Sequence, residues 1–259
     1  MEEYDDMTNL FEIKGKKAIV TGGTRGLGHG MAEALLEAGC EVVIIGSSER
    51  VFEEADKFCE QGYSCYGVKA DLRSREENYK AFEDAMQLLG NDLDIMITAA
   101  GIQRRHSAEV FPMEEWDEVI RINLNSVWIM NQEAGKKMLK KGRGKIINVA
   151  SMASFFGCQT VPAYAAAKGG VAQLTKELTN DWCGRGINVN AIAPGYMATD
   201  LNTALLENEE RSAQILSRIP AGRWGTEEDM KGITVFLASP ASDYLSGAII
   251  PVDGGYLVK

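Results

Sequence analysis

Short strand-like runs, mostly apolar, punctuate this chain at 18–20, 42–45, 64–68, 95–98, 145–149, 188–192 and 248–251. Continuous rather than alternating apolarity marks strands buried on both faces, as in a parallel sheet. Between the runs, apolar positions repeat every three or four residues, the period of a helix with one buried face. Helices are expected at about 27–38 and about 162–184, the second with Val171, Leu174, Leu178 and Trp182 along one stripe. Strand and helix in alternation predict an α/β fold, a doubly wound parallel sheet of about seven strands with helices on both faces. No linker, repeat or low-complexity stretch interrupts the 259 residues, which read as one domain. The alternation breaks at 196–223. Two short helical stretches there, 200–206 and 209–217, precede Thr226, a cap residue for another helix. An insertion just past a strand's carboxyl end is where a small lid over a substrate belongs.

The first strand runs into Thr21-Gly-Gly-Thr-Arg-Gly-Leu-Gly28, and the first helix follows. Glycines permit a tight turn and close backbone approach, and a helix N-terminus offers free N–H groups to a pyrophosphate. Strand, glycine-rich turn and helix in that order predict a Rossmann-like dinucleotide site, although the spacing is Gly-x-x-x-Gly-x-Gly. Farther along, Tyr164 and Lys168 lie four residues apart on a predicted helix, and so on one face. A cation beside a phenol favours the phenolate and lowers its pKa from about 10, so such a tyrosine can pass a proton near neutral pH. Ser151 follows the run at 145–149, which places its hydroxyl at a strand's carboxyl end.

In this order, the glycine turn, Asp71-Leu72, Thr98-Ala-Ala-Gly101, Asn123, Ser151, Tyr164-Ala-Ala-Ala-Lys168 and Ala193-Pro-Gly195 resemble the short-chain dehydrogenase/reductase family over nearly the whole chain. The resemblance implies reversible hydride transfer between a nicotinamide cofactor and a secondary alcohol or ketone. It implies Tyr164 as acid/base and Ser151 as donor to the substrate oxygen. Lys168 would lower the tyrosine pKa and bond the nicotinamide ribose. Asn123 would kink its helix and hold a water linking Lys168 to solvent. Around the cofactor it implies Gly22, Thr24, Arg25, Gly26, Leu27 and Gly28, then Asp71 and Leu72 at the adenine, with Ala100 and Gly101 also in contact. Pro194 and Gly195 would wall the nicotinamide, with Thr199 near its carboxamide or the phosphates. One departure is Thr98-Ala99, where the family usually has two asparagines. Ala99 lacks an amide that commonly braces the central sheet, which reads as a local structural change.

Cofactor choice falls on Gly46-Ser47-Ser48 at the end of the second strand. NAD-preferring relatives usually carry an acid there for the ribose 2′-hydroxyl. Gly46 carries none and so permits a 2′-phosphate, with Arg25, Ser47 and Ser48 as its candidate partners. The residues therefore favour NADP(H), unless Arg25 is only a solvated turn residue and Gly46 only a turn former. For substrate, Gly101-Ile-Gln-Arg-Arg-His106 sets two guanidiniums just past the fourth strand. Arginine suits bidentate binding of a carboxylate, so Arg104 or Arg105, with Arg223 beyond the lid, is expected at an acid substrate; a surface salt bridge is the alternative for each. Ile102-Gln-Arg-Arg105, Ala193-Pro-Gly-Tyr-Met-Ala-Thr199, Arg218-Ile-Pro-Ala-Gly-Arg-Trp-Gly225 and Val252-Asp-Gly-Gly-Tyr256 resemble the sugar-acid 5-dehydrogenase branch of the family. The last three are most like enzymes of 2-dehydro-3-deoxy-D-gluconate, while Gln-Arg-Arg is shared with enzymes of gluconate. The first resemblance implies NAD(H), against the reading of the residues. A 3-oxoacyl-carrier-protein reductase would explain the Gly-Ser-Ser turn but calls for a basic docking patch. A nucleotide-binding regulator without catalysis would have no use for Ser151, Tyr164 and Lys168 together.

Composition narrows the partners. A formal charge of −10 disfavours nucleic acid. No apolar run reaches the roughly 18 residues of a membrane span, and the acidic start Met1-Glu-Glu-Tyr-Asp-Asp6 has no signal-like apolar region. Cys40, Cys59, Cys65, Cys158 and Cys183 are scattered and odd in number, as in a reduced cytoplasmic protein. Two histidines without clustered ligands give no expectation of a metal. The stripe from Val171 to Trp182 and the tail Tyr256-Leu-Val258 match surfaces through which relatives form tetramers, so a homotetramer is expected from the resemblance.

Overall fold

All seven strand-like runs become strands in the computed structural model, which describes residues 10–259 and so leaves the acidic run 1–6 outside the described residues. The chain order is β1 (Lys17–Thr21), α1 (Gly26–Glu37), β2 (Glu41–Gly46), α2 (Arg50–Glu60), β3 (Ser64–Lys69), α3 (Arg75–Leu88) and β4 (Ile95–Thr98). Then come α4 (Met113–Ile120), α5 (Ser126–Lys141), β5 (Gly144–Val149), α6 (Pro162–Trp182), β6 (Ile187–Pro194), α7 (Thr203–Leu206), α8 (Glu209–Leu216), α9 (Lys231–Ala238) and β7 (Ile249–Val252). The sheet order is β3-β2-β1-β4-β5-β6-β7, and every pair is parallel. Order reverses between β1 and β4, so the connections leave their carboxyl ends in opposite directions and open a crevice there.

Alternate residues of a strand face opposite sides, and both sides are covered. Ala18, Val20, Val42 and Ile44 pack with Met31 and Leu35 of α1, Phe58 of α2 and Leu237 of α9. Ile19, Val43 and Ile45 pack with Phe82 of α3, Met130 and Met138 of α5, and Leu178 and Trp182 of α6. Two covered faces are why the central strands carry no polar alternation. They also correct one expectation. The stripe Val171, Leu174, Leu178 and Trp182 is turned onto its own sheet and supplies no interface for a tetramer.

The brace missing at Ala99 is built elsewhere. Asn148, buried in β5, accepts at Oδ1 from Thr98 Oγ1 (2.7 Å) and Asn131 Nδ2 (2.9 Å), and its Nδ2 donates to Thr175 Oγ1 (3.0 Å). One buried amide thus ties β4, β5, α5 and α6 together, where an unpaired amide would cost about 1–3 kcal/mol. The kink expected at Asn123 takes the form of a single π turn, Arg121–Asn125, between α4 and α5. Asn123 is 0% exposed and turns both amide atoms on the chain after β4. Its Nδ2 donates to the Ile102 carbonyl (2.8 Å) and its Oδ1 accepts the Ile102 N–H (2.9 Å).

The expected lid contains α7 and α8, and a bridge between Met197 and Gly225 closes its base. Met152, Ile215, Ile219 and Tyr256 form a small separate core beneath it. Arg218 lies over the Tyr256 ring at 4.3 Å. Thr226 caps a 3₁₀ turn, Glu227–Met230, that leads into α9. Among the described residues no helix is long and apolar enough to cross a membrane, and all five cysteines are free.

Candidate active site

β1 delivers Gly22 to the crevice. Its φ is +72°, and a Cβ on it would lie 2.8 Å from the Ala100 backbone; a Cβ on Gly28 would lie 2.3 Å from the Gly22 carbonyl oxygen. Turn and helix close on one another only because both positions lack a side chain. α1 opens with Arg25 in the N-cap position, without a side-chain cap and without an acid in the first turn. Its first N–H groups and the positive end of its dipole are therefore left for an anion. A glycine cradle on an uncapped helix fits the pyrophosphate of a dinucleotide, which Gly22, Thr24, Arg25, Gly26, Leu27 and Gly28 would hold. The Thr199 methyl lies 3.5 Å from where a Gly26 Cβ would sit, so Thr199 stands beside this phosphate turn.

At the far end of the crevice Leu72 is buried, and Asp71 is clasped by Arg73 through Nε (2.9 Å) and Nη2 (2.7 Å). That arginine holds the Asp71 carboxyl below its ordinary range. Asp71 is not a helix cap; Ser74 caps α3. Ser47 and Ser48 are exposed, and Arg25 pairs with Asp200 at the start of the lid (3.0 Å). Gly46 is more than a turn former. A Cβ there would meet Thr24 Cγ2 at 2.6 Å, so the side chain of the phosphate turn fills the place an acid would need.

The catalytic candidates converge on the carboxyl ends of β5 and β4. Ser151 follows β5 and its hydroxyl accepts the Ala153 N–H (3.1 Å). The first turns of α6 carry Tyr164 and Lys168. Lys168 is buried, and its Nζ donates to the Val149 carbonyl (2.6 Å) while lying 5.7 Å from the centre of the Tyr164 ring. Burial pushes this ammonium down to about 8. Burial also pushes the Tyr164 phenol up, against smaller downward pulls from its hydrogen bond with Ser151 and from the charge of Arg105. The lowering expected of Lys168, 5.7 Å from the ring centre, has to work against this burial. Its ammonium is directed at a backbone carbonyl, and burial weighs against charge on both groups.

The three candidate substrate arginines part company. Arg104 pairs with Glu118 of α4 (2.8 Å), and the neighbouring His106 with Glu115 (2.8 Å). Arg105, between them, is exposed and donates to Gln103 Oε1 (2.7 Å), while its charge reaches Tyr164 and Cys158. Arg223 makes a two-pronged pair with Asp229 (2.6 and 2.7 Å) and braces the cap before α9. Pro194 closes β6, and a Cβ on Gly195 would strike Asp253, so this wall is set by backbone contact. Sequence reasoning missed Asn148, Glu118, Cys158 and Tyr196. An asparagine inside the apolar run Lys145-Ile-Ile-Asn-Val149 was the visible sign of the first. Cys158 comes near Tyr164 on one side and Tyr196 on the other only through the fold.

A family model described as enoyl-(acyl carrier protein) reductase matches residues 22–257. The chain is 46% identical to the 2-dehydro-3-deoxy-D-gluconate 5-dehydrogenase of Bacillus subtilis over 252 residues, covering 97% of this chain and 98% of that one. It is likewise 46% identical to the enzyme of that name from Escherichia coli, covering 97% and 99%. The crystal structure of a gluconate 5-dehydrogenase from Burkholderia cenocepacia, in complex with NADP and tartrate, is 36% identical with a TM-score of 0.93, covering 97% of this chain and 98% of that one.

Tyr164→Phe removes the transferable proton and leaves the glycine cradle intact. Turnover should fall roughly 10²–10⁴-fold with cofactor affinity nearly unchanged, as measured by nicotinamide absorbance and by titration; retention of more than about a tenth of turnover would exclude Tyr164 as the acid/base. Lys168 keeps its charge below about pH 8 and loses it above. The kcat/KM for ketone reduction, in which a phenolate forms beside it, should therefore decline as pH rises through about 8. A profile flat from about pH 7 to about pH 10 would contradict this role.

Proposed function

Because the chain belongs to the short-chain dehydrogenase/reductase family and is an oxidoreductase using a nicotinamide cofactor, we propose that it interconverts a secondary alcohol and a ketone of a sugar acid, 2-dehydro-3-deoxy-D-gluconate being the preferred substrate and D-gluconate the alternative. The observation that carries the acid is the separation of the paired arginines. Arg104 is occupied by Glu118, whereas Arg105 turns an exposed guanidinium toward the side of Tyr164. A neutral substrate has no use for that cation beside the acid/base, and a carboxylate does.

When bound, the cofactor supplies or accepts the hydride. In reduction Tyr164 delivers its proton to the substrate oxygen, and in oxidation it takes that proton back. Ser151 donates to the same oxygen and keeps it against the phenol. Lys168 lies behind the ring and stabilises the phenolate left by proton delivery. Asn123, locked to Ile102, fixes the chain that carries Arg104 and Arg105.

For the cofactor we favour NADP(H), supported by the absence of an acid at Gly46 and by Arg25 at the turn. We also favour a cytoplasmic homotetramer, for which the exposed Val110, Met113 and Trp128 around α4 and α5 are the better support now that the α6 stripe is internal.

Arg105→Ala should raise KM for 2-dehydro-3-deoxy-D-gluconate roughly 10²-fold, as expected for a charge-assisted pair of about 1.5–3 kcal/mol, while Arg104→Ala should cost less than about ten-fold. Steady-state kinetics on a panel of sugar acids and neutral ketones checks both. A neutral ketone that outperforms every sugar acid, with Arg105→Ala silent, would remove the sugar-acid reading.

Arg25→Ala should weaken NADP(H) by about ten-fold and NAD(H) by less than about two-fold in fluorescence titrations. Equal losses would show that Arg25 does not read the 2′-phosphate. Gly46→Asp alone should impair both cofactors, because its Cβ displaces Thr24. Combined with Thr24→Ser, which removes the offending methyl, it should turn preference toward NAD(H).

A further inference from the structure

The loop 101–107 is fastened to α4 at two points one helical turn apart, by the ion pair of Arg104 with Glu118 and the hydrogen bond of His106 with Glu115. Glu118 does not serve that loop alone. Its Oε2 holds Arg104 Nη2 (2.8 Å), and its Oε1 accepts from Arg73 Nη1 (3.4 Å). Arg73 in turn clasps Asp71 with Nε and Nη2. Four side chains of alternating charge therefore run from Asp71, at the end of the crevice expected to take the adenine, to Arg104, next to the residue expected to take the carboxylate. The Glu118 side chain is only 21% exposed, against 36% for Asp71, 39% for Arg104 and 54% for Arg73, so Glu118 is the best shielded of the four.

We propose that Glu118 and Arg73 are positioning residues that couple the seating of the cofactor at Asp71 to the seating of the acid at Arg105, through Arg104. The proposal rests on the sugar-acid reading given above. Arg104 and His106 face α4, so Arg105 between them is presented on the opposite side of an extended segment. A firm hold on Arg104 fixes where Arg105 points. With Arg73 gone, Glu118 keeps one partner, and the orientation it imposes on Arg104 no longer depends on Asp71. Coupling of this kind is reciprocal, so bound acid should also tighten the cofactor.

The test is a double-mutant cycle on Arg73→Ala and Glu118→Gln, assayed with 2-dehydro-3-deoxy-D-gluconate and NADP⁺. Arg73→Ala should raise KM for the acid about three-fold, in the range of partly exposed ion pairs, with kcat changed by less than about two-fold. Arg73→Lys should restore most of the loss. In the Glu118→Gln background, Arg73→Ala should add nothing to KM. The tightening of NADP⁺ by acid, read by fluorescence titration of the Tyr164→Phe enzyme, should shrink by the same factor in both variants. An Arg73→Ala enzyme with weakened NADP⁺ binding but unchanged KM for the acid would overturn the coupling, as would effects of the two substitutions that simply multiply. Wild-type enzyme that turned over no sugar acid would defeat the functional reading and the coupling with it; active wild type with a silent Arg73→Ala defeats the coupling alone.

Discussion

The site depends on one buried charge. Lys168 lies inside the fold with its ammonium on the Val149 carbonyl. Removing an ion from water costs several kcal/mol even after relaxation, so the position survives only where the acceptor is fixed. That requirement ties a strand to a helix. Val149 is two residues before Ser151, and Lys168 is one helical turn after Tyr164. A single hydrogen bond therefore sets the end of β5 against the start of α6, and with it the distance from hydroxyl to phenol. Asn148, next to Val149, secures the same strand to β4, α5 and α6 from within the core. A second bond binds helix to strand exit, from Ser154 Oγ to the Lys168 carbonyl (2.7 Å).

The remaining contacts sort the crevice into ends of different chemistry. At one end backbone N–H groups do the work, and the glycines matter because of what they leave out. In the middle, burial holds phenol and ammonium both toward their neutral forms, so a charge on either is costly to create alone. At the other end a solvent-facing guanidinium supplies positive charge without being buried. Arg25 paired to Asp200 links the phosphate turn to the start of the lid, so the two meet before any ligand joins them.

Much of this was legible in the sequence. The strands were readable because both faces are covered, which makes Ala18–Ile19–Val20 apolar throughout. The glycine turn and the triad of Ser151, Tyr164 and Lys168 were readable because their spacings are local. What was not legible depends on partners distant in sequence. Nothing in Gln103-Arg-Arg105 tells which arginine meets Glu118, since the answer lies in how α4 packs. The stripe on α6 looked the same whether it faced its own sheet or a second subunit, because periodicity reports burial and not by what. The bar to an acid at Gly46 lies in Thr24, 22 positions away in sequence and touching in space.

The π turn at Arg121–Asn125 sets the phase of a long helix. One extra residue in a turn rotates everything after it by about 100°. Before the turn, Glu115 and Glu118 look to the loop that follows β4. After it, Met130, Ala134 and Met138 look to the sheet. Two surfaces with different duties are thus carried on one continuous rod, set against each other by a single misfit. Deleting one residue between 121 and 125 would therefore do more than shorten the rod; it would turn the far half away from the sheet and draw Asn123 off Ile102. Length in this short stretch is therefore held by two surfaces at once, the loop after β4 and the sheet.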